Sequence, residues 1–123
     1  MPLETLPQQD FHVPRGNYYE VNIDIDSDDP NNPGTLAGLT LTFKASKFTF
    51  LNPDPANVLI TKTNSGGGVD VVSESLMTVK VILQGADTSS LEPGIYYWQL
   101  DTTTGGGAVS TVSRGRLFVD QTV

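Results

Sequence analysis

Any chemistry in this chain has to start from its carboxylates. Asp24-Ile25-Asp26-Ser27-Asp28-Asp29 places four of them within six residues, with acidic side chains at alternate positions, as a calcium loop presents oxygen to a hard cation. A loop of that kind starting at Asp24 needs Gly where Asp29 stands and Glu where Thr35 stands. The stretch therefore reads as a hydrated acidic turn. Asp24, Asp26 and Asp28 remain weak metal candidates, and no metal or cofactor is expected. His12 is the sole histidine, and a zinc site needs further nitrogen or sulfur ligands. With no cysteine in the chain, thiolate zinc sites, iron–sulfur clusters, disulfide scaffolds and cysteine nucleophiles are excluded. No G-x-S-x-G presents a serine to a base. Gly66–Gly68 runs into Val69-Asp70, and Gly105–Gly107 into Ala108-Val109. Neither is a phosphate cradle, which would open a helix or carry G-K-[ST]. The reading is a protein that is not an enzyme.

The cations are few. Arg15-Gly16 and Arg114-Gly115-Arg116 hold three of seven Lys+Arg, against fourteen Asp+Glu, for a formal charge of −7. Such arginines either pair with the chain's own carboxylates at an interface rim or meet an acidic partner. We take the first reading and carry Phe11, Arg15, Arg114 and Arg116 as interface candidates. The acidic balance argues against a nucleic-acid partner, which needs a basic stripe, and against polybasic docking to a membrane. No segment approaches the length of an apolar membrane helix. The opening Met1-Pro2-Leu3-Glu4-Thr5-Leu6 lacks a basic and then apolar leader. The expectation is a whole gene product, synthesised in the cytoplasm and not exported by the general route.

These residues must be positioned by strands. At 123 residues with 37% apolar side chains, the chain suits one domain with its own core. Apolar residues alternate with polar ones, and turn signals recur every ~8–12 residues, the pattern of an all-β sandwich. Residues 1–9 are expected as a loose arm and 10–123 as a single sandwich domain. Strands are expected at Phe11–Val13, at 17–26 with Tyr19, Val21, Ile23 and Ile25 inward, and at 39–45 with Leu41 and Phe43 inward. Further strands are expected at 58–63, 69–73, 76–83, 95–102 and 109–119. Asn64–Gly68 and Gly105–Gly107 read as hairpin tips, and Gly115 as a bend or bulge. No helical pattern is found.

Leu91-Glu92-Pro93-Gly94-Ile95-Tyr96 is the most informative stretch. Pro93 and Gly94 make the turn that enters a strand. The Tyr96 hydroxyl can then bond back to the backbone near Asp87–Leu91, as in the tyrosine corner of Greek-key sandwiches. Trp98, two residues on, falls at a core position. Gly94, Tyr96 and Trp98 are thus assigned structural roles.

Taken together, Arg15-Gly16-Asn17 before a long strand, Leu36-Ala37-Gly38-Leu39-Thr40-Leu41-Thr42-Phe43, Asp87 to Leu100, and Thr111-Val112-Ser113-Arg114-Gly115-Arg116-Leu117-Phe118-Val119 resemble the immunoglobulin-like modules of tailed-phage virions. They are similar to the amino-terminal domain of phage upper baseplate proteins over roughly residues 10–120. The resemblance implies an immunoglobulin-like antiparallel β-sandwich of about seven or more strands without catalytic residues. It also implies a virion structural or adaptor role in the tail, baseplate or fibre-attachment region, or alternatively head or neck decoration. The implied partners are other virion proteins and copies of this chain, and the implied location is the virion. A free-standing carbohydrate- or protein-binding module is the other class, and would be favoured if Tyr18, Tyr97 and Phe50 lined one groove.

Overall fold

Strict alternation over short runs produces strands with one buried face, and two such sheets must cover each other. In a computed structural model of the chain, residues 9–25, 35–47, 58–73 and 77–120 are described. They form eight strands: β1 (Phe11–Pro14), β2 (Tyr19–Asp24), β3 (Thr40–Ser46), β4 (Val58–Thr63), β5 (Val69–Ser73), β6 (Thr78–Leu83), β7 (Gly94–Thr103) and β8 (Val109–Asp120). One sheet has the order β1-β8-β7-β3-β4 and the other β2-β6-β5. This is an immunoglobulin-like sandwich. All pairs are antiparallel except β1 with β8, which run parallel. The first strand therefore joins the sheet of the last strand and leaves β2 at an edge.

The core is the set that alternation selects. Val21, Ile23, Leu41, Phe43, Val79, Val81, Tyr96, Trp98 and Leu100 are all buried. Trp98 lies 5.7 Å from Phe43 and 5.6 Å from Phe11, ring centre to ring centre. The hairpin joining β7 to β8 turns at Gly105–Gly107, as the glycines suggest.

Five local expectations are corrected. Asn64–Gly68 is not a hairpin tip, because β4 and β5 belong to different sheets. Asn64 explains the crossing: its Oδ1 accepts from Leu41 N at 2.9 Å and its Nδ2 donates to Leu39 O at 3.1 Å, which ties the corner to β3. Gly115 is not a bulge. The register shift lies between Leu100 and Asp101, opposite Ser113 and Thr111, so Val112 is the extra residue. Met77, expected within a strand, precedes β6 with φ 54, a left-handed turn residue. A single helical turn, α1 (Gly85–Thr88), follows β6; the Gln84 N–H donates to Asp87 Oδ2 at 2.7 Å, and Asp87 Oδ2 also lies 2.8 Å from Lys62 Nζ of β4. Gln9, the last residue of the expected arm, belongs to the sandwich; residues 1–8 lie outside the described residues.

Candidate interaction surface

Two anchors make the β7–β8 region rigid. The Tyr96 hydroxyl donates to the Glu92 carbonyl at 2.7 Å. The tyrosine corner is present, closed one residue later than the Asp87–Leu91 window. Burial, followed by the nearby Glu92 carboxylate, pushes the Tyr96 hydroxyl above the usual phenol range. Gly94 is the first residue of β7, opposite Val119. Trp98 stands opposite Gly115, and its indole Nε1–H donates to the Gln9 carbonyl at 2.9 Å. The Gln9 N–H donates to Arg114 O at 3.0 Å, and its Nε2 donates to Asp24 O at 2.8 Å. One residue thus bridges the two sheets.

Upon this frame the outer face of the five-stranded sheet carries a strip across β1, β8 and β7. The register aligns His12, Phe118 and Ile95 in one row and Asp120 beside Pro14 in the next. The His12 ring stacks on Phe118 at 4.5 Å with an interplanar angle of 8°. The Arg116 guanidinium lies 5.3 Å from the Phe118 ring centre, within cation–π range. Arg116 is itself fixed: its Nη2 donates to Asp10 Oδ2 at 2.8 Å and its N–H to Asp10 Oδ1 at 3.0 Å. The guanidinium hydrogen bond holds the Asp10 carboxyl below its ordinary range. His12 Nδ1 lies 3.3 Å from Asp120 Oδ2. Ile95 is 48% exposed at the end of the row. A guanidinium already paired with Asp10 and resting against the Phe118 ring loses little freedom when a partner seats on it.

Further along the same face, polar groups are buried. Gln99 Nε2 donates to both Asp101 oxygens, at 2.8 and 2.9 Å. Thr111 Oγ1 donates to Asp101 Oδ1 at 2.7 Å, and Lys44 Nζ lies 3.7 Å from Asp101 Oδ2. This network braces β3, β7 and β8 together.

The interface candidates separate accordingly. Arg116 lies in the exposed strip and bears out pairing with the chain's own carboxylates. Arg114 is corrected: it is only 2% exposed, opposite Gln99, and belongs to the buried face rather than to a contact surface. Phe11 is half-buried and packs on Trp98, so most of its ring serves the core. Arg15 is half-buried, and its N–H donates to Asp120 O at 2.9 Å. Tyr18 precedes β2, whereas Tyr97 lies on β7 of the other sheet, so these two do not share a groove; Phe50 lies outside the described residues. Asp24 offers its carbonyl to Gln9, while Asp26 and Asp28 lie outside the described residues. Among the described residues no group of three metal-binding side chains converges.

Sequence reasoning missed Gln9, Asp10, Phe118 and Asp120. Period two along 109–119 does put Arg114, Arg116 and Phe118 on one face, which was the available signal for Phe118. The parallel docking of β1 that brings Asp10 and His12 beside them has no local signature. No known family model matches this chain, and no curated protein matches it.

Proposed function

We propose that this chain is a non-enzymatic structural or adaptor module of a tailed-phage virion, acting in the tail, baseplate or fibre-attachment region. In this reading a neighbouring virion protein seats on the Arg116–Phe118–Ile95 strip. The observation that carries the contact is the fixed row itself. Aromatic side chains and arginine are the types that anchor protein interfaces, and here an exposed Arg116 and a half-buried Phe118 stand on a braced sheet. The virion assignment is supported by the resemblance of the 15–17, 36–43, 87–100 and 111–119 stretches together with the immunoglobulin-like sandwich. Negative charge opposes self-association, so copies of this chain assemble through the particle rather than free in solution.

The test uses particles purified on a density gradient. Mass spectrometry should find the chain at a constant ratio to the major structural proteins. A Phe118→Asp variant, shown by circular dichroism to be folded, should be depleted from particles. Absence of the parent chain from clean particles would overturn the reading.

A further inference from the structure

We propose that the edge of β2 turned away from β6 takes an extended, basic segment of another protein as a fourth strand of the three-stranded sheet. This edge belongs to the sheet opposite the strip described above, and the inference stands whether or not the chain is a virion component.

Four strands lie at sheet edges: β1, β4, β2 and β5. Natural sheets blunt such edges with proline, bulges or very short strands. Here β1 has four residues and ends in Pro14. The β4 ladder is broken at Ala45/Ser46 and the β5 ladder at Val71/Ser73. Among the described residues, β2 is the one edge strand of more than four residues whose ladder is unbroken, from Tyr19 opposite Leu83 to Asp24 opposite Thr78. Among the described residues no strand pairs with this edge, since β1 pairs with β8 instead.

The unpaired groups can be named. Ile25 N–H donates to Met77 O at 3.1 Å. Odd-numbered residues of β2 therefore turn their backbone groups toward β6, and Glu20, Asn22 and Asp24 turn theirs outward. The Asp24 carbonyl confirms the direction, because it accepts from Gln9 Nε2 at 2.8 Å. Among the described residues, nothing of that kind covers the outward N–H and C=O of Glu20 and Asn22. They form a two-residue repeat of donor and acceptor, which is what strand addition uses.

Charge selects the occupant. Glu20, Asn22 and Asp24 are exposed on the outer face of this sheet, and Asp70 lies one strand beyond Lys80. Lys80 lies 3.6 Å from Glu20 and is the one cation among these side chains. A second copy fits poorly. Antiparallel pairing of two β2 edges about Asn22 would set Glu20 opposite Asp24 of the other copy, and like charges directly opposed are destabilising. A strand with Lys or Arg at alternate positions meets these carboxylates instead.

The experiment uses the full chain and two synthetic octapeptides, one alternating Lys with Val and one alternating Glu with Val. Amide hydrogen exchange by NMR should slow about tenfold at Glu20, Asn22 and Asp24 with the Lys peptide only, reflecting new hydrogen bonds there. Asn22→Pro removes one outward N–H that the native ladder does not use, and proline is tolerated on such an edge. This variant should melt near the parent and bind the Lys peptide about tenfold more weakly. A Glu20→Lys/Asp24→Lys variant should reverse the peptide preference. Equal binding of both peptides, or unchanged exchange at these three amides, would overturn the proposal. So would concentration-dependent protection of the same amides without peptide, which would give the edge to a second copy.

Discussion

The indole Nε1–H of Trp98 donates to the carbonyl of Gln9 at 2.9 Å across 89 positions of sequence. The largest core side chain thereby holds the entry of the chain into the sandwich. Its polar atom is satisfied by the Gln9 carbonyl, while the Gln9 N–H donates to Arg114 O of β8. Gly115 makes the arrangement possible: it stands opposite Trp98 in the ladder, and a Cβ there would run into the Gln9 backbone.

Gly115→Ala should therefore destabilise the fold by about 2–3 kcal/mol, as overpacking against backbone does. Trp98 fluorescence should shift as Gln9 is displaced. Urea unfolding followed by that fluorescence checks both effects, and a midpoint equal to the parent's would show that β1 is not held at this point.

Truncation should discriminate between neighbouring residues. Removing residues 1–9 deletes the acceptor of the Trp98 indole and the cross-sheet bond to Asp24. It should cost about 1–3 kcal/mol more than removing residues 1–7, the penalty of leaving a buried donor unpaired. Thermal melts of the two shortened chains test this difference.

Tyr96→Phe should cost about 1–2 kcal/mol, since the hydroxyl satisfies the Glu92 carbonyl at the corner. The folded state raises the pKa of this hydroxyl. Its contribution is complete below the unfolded value near ~10 and is lost as pH rises through the higher folded value. The gap between parent and variant in denaturant midpoint should then narrow in strong alkali and hold constant at neutral pH.

Much of this architecture was legible because alternation is a local property. Val21 and Ile23, Leu41 and Phe43, and Tyr96 and Trp98 each announce a buried face by period two. The corner at Tyr96 was legible from Pro93-Gly94 before a strand. What the residues could not announce were pairings between distant segments. Nothing near Phe11 says that it runs parallel to Leu117, and nothing near Asn64 says that the chain changes sheets there. The same reason hid the strip: Asp10 and Arg116 meet only once β1 and β8 are paired. Arg114 misled because a formal charge on a strand reads as exposed, while the bulge at Val112 and the Gln99–Asp101 network place it within a buried polar face.

The Asp10–Arg116 contact gives an acid-side prediction. The Asp10 pKa is lowered in the folded state. Its stabilisation is present above the unfolded value near ~3.9 and is lost as pH falls through the lower folded value. Asp10→Asn should melt below the parent at pH 7, and the two melting temperatures should converge as pH falls through the acid range. A gap that persists unchanged into strong acid would assign the difference to something other than the carboxylate.

The central claim, that the outer face of β1, β8 and β7 seats a neighbouring virion protein, is tested most directly inside assembled particles. A photo-reactive phenylalanine analogue at Ile95, at the exposed end of the strip, should cross-link on illumination to a different structural protein in purified particles. The same analogue at Val72, exposed on β5 of the opposite sheet, should give little of that product. Equal cross-linking from both positions, or none from Ile95 in particles that contain the chain, would contradict the account.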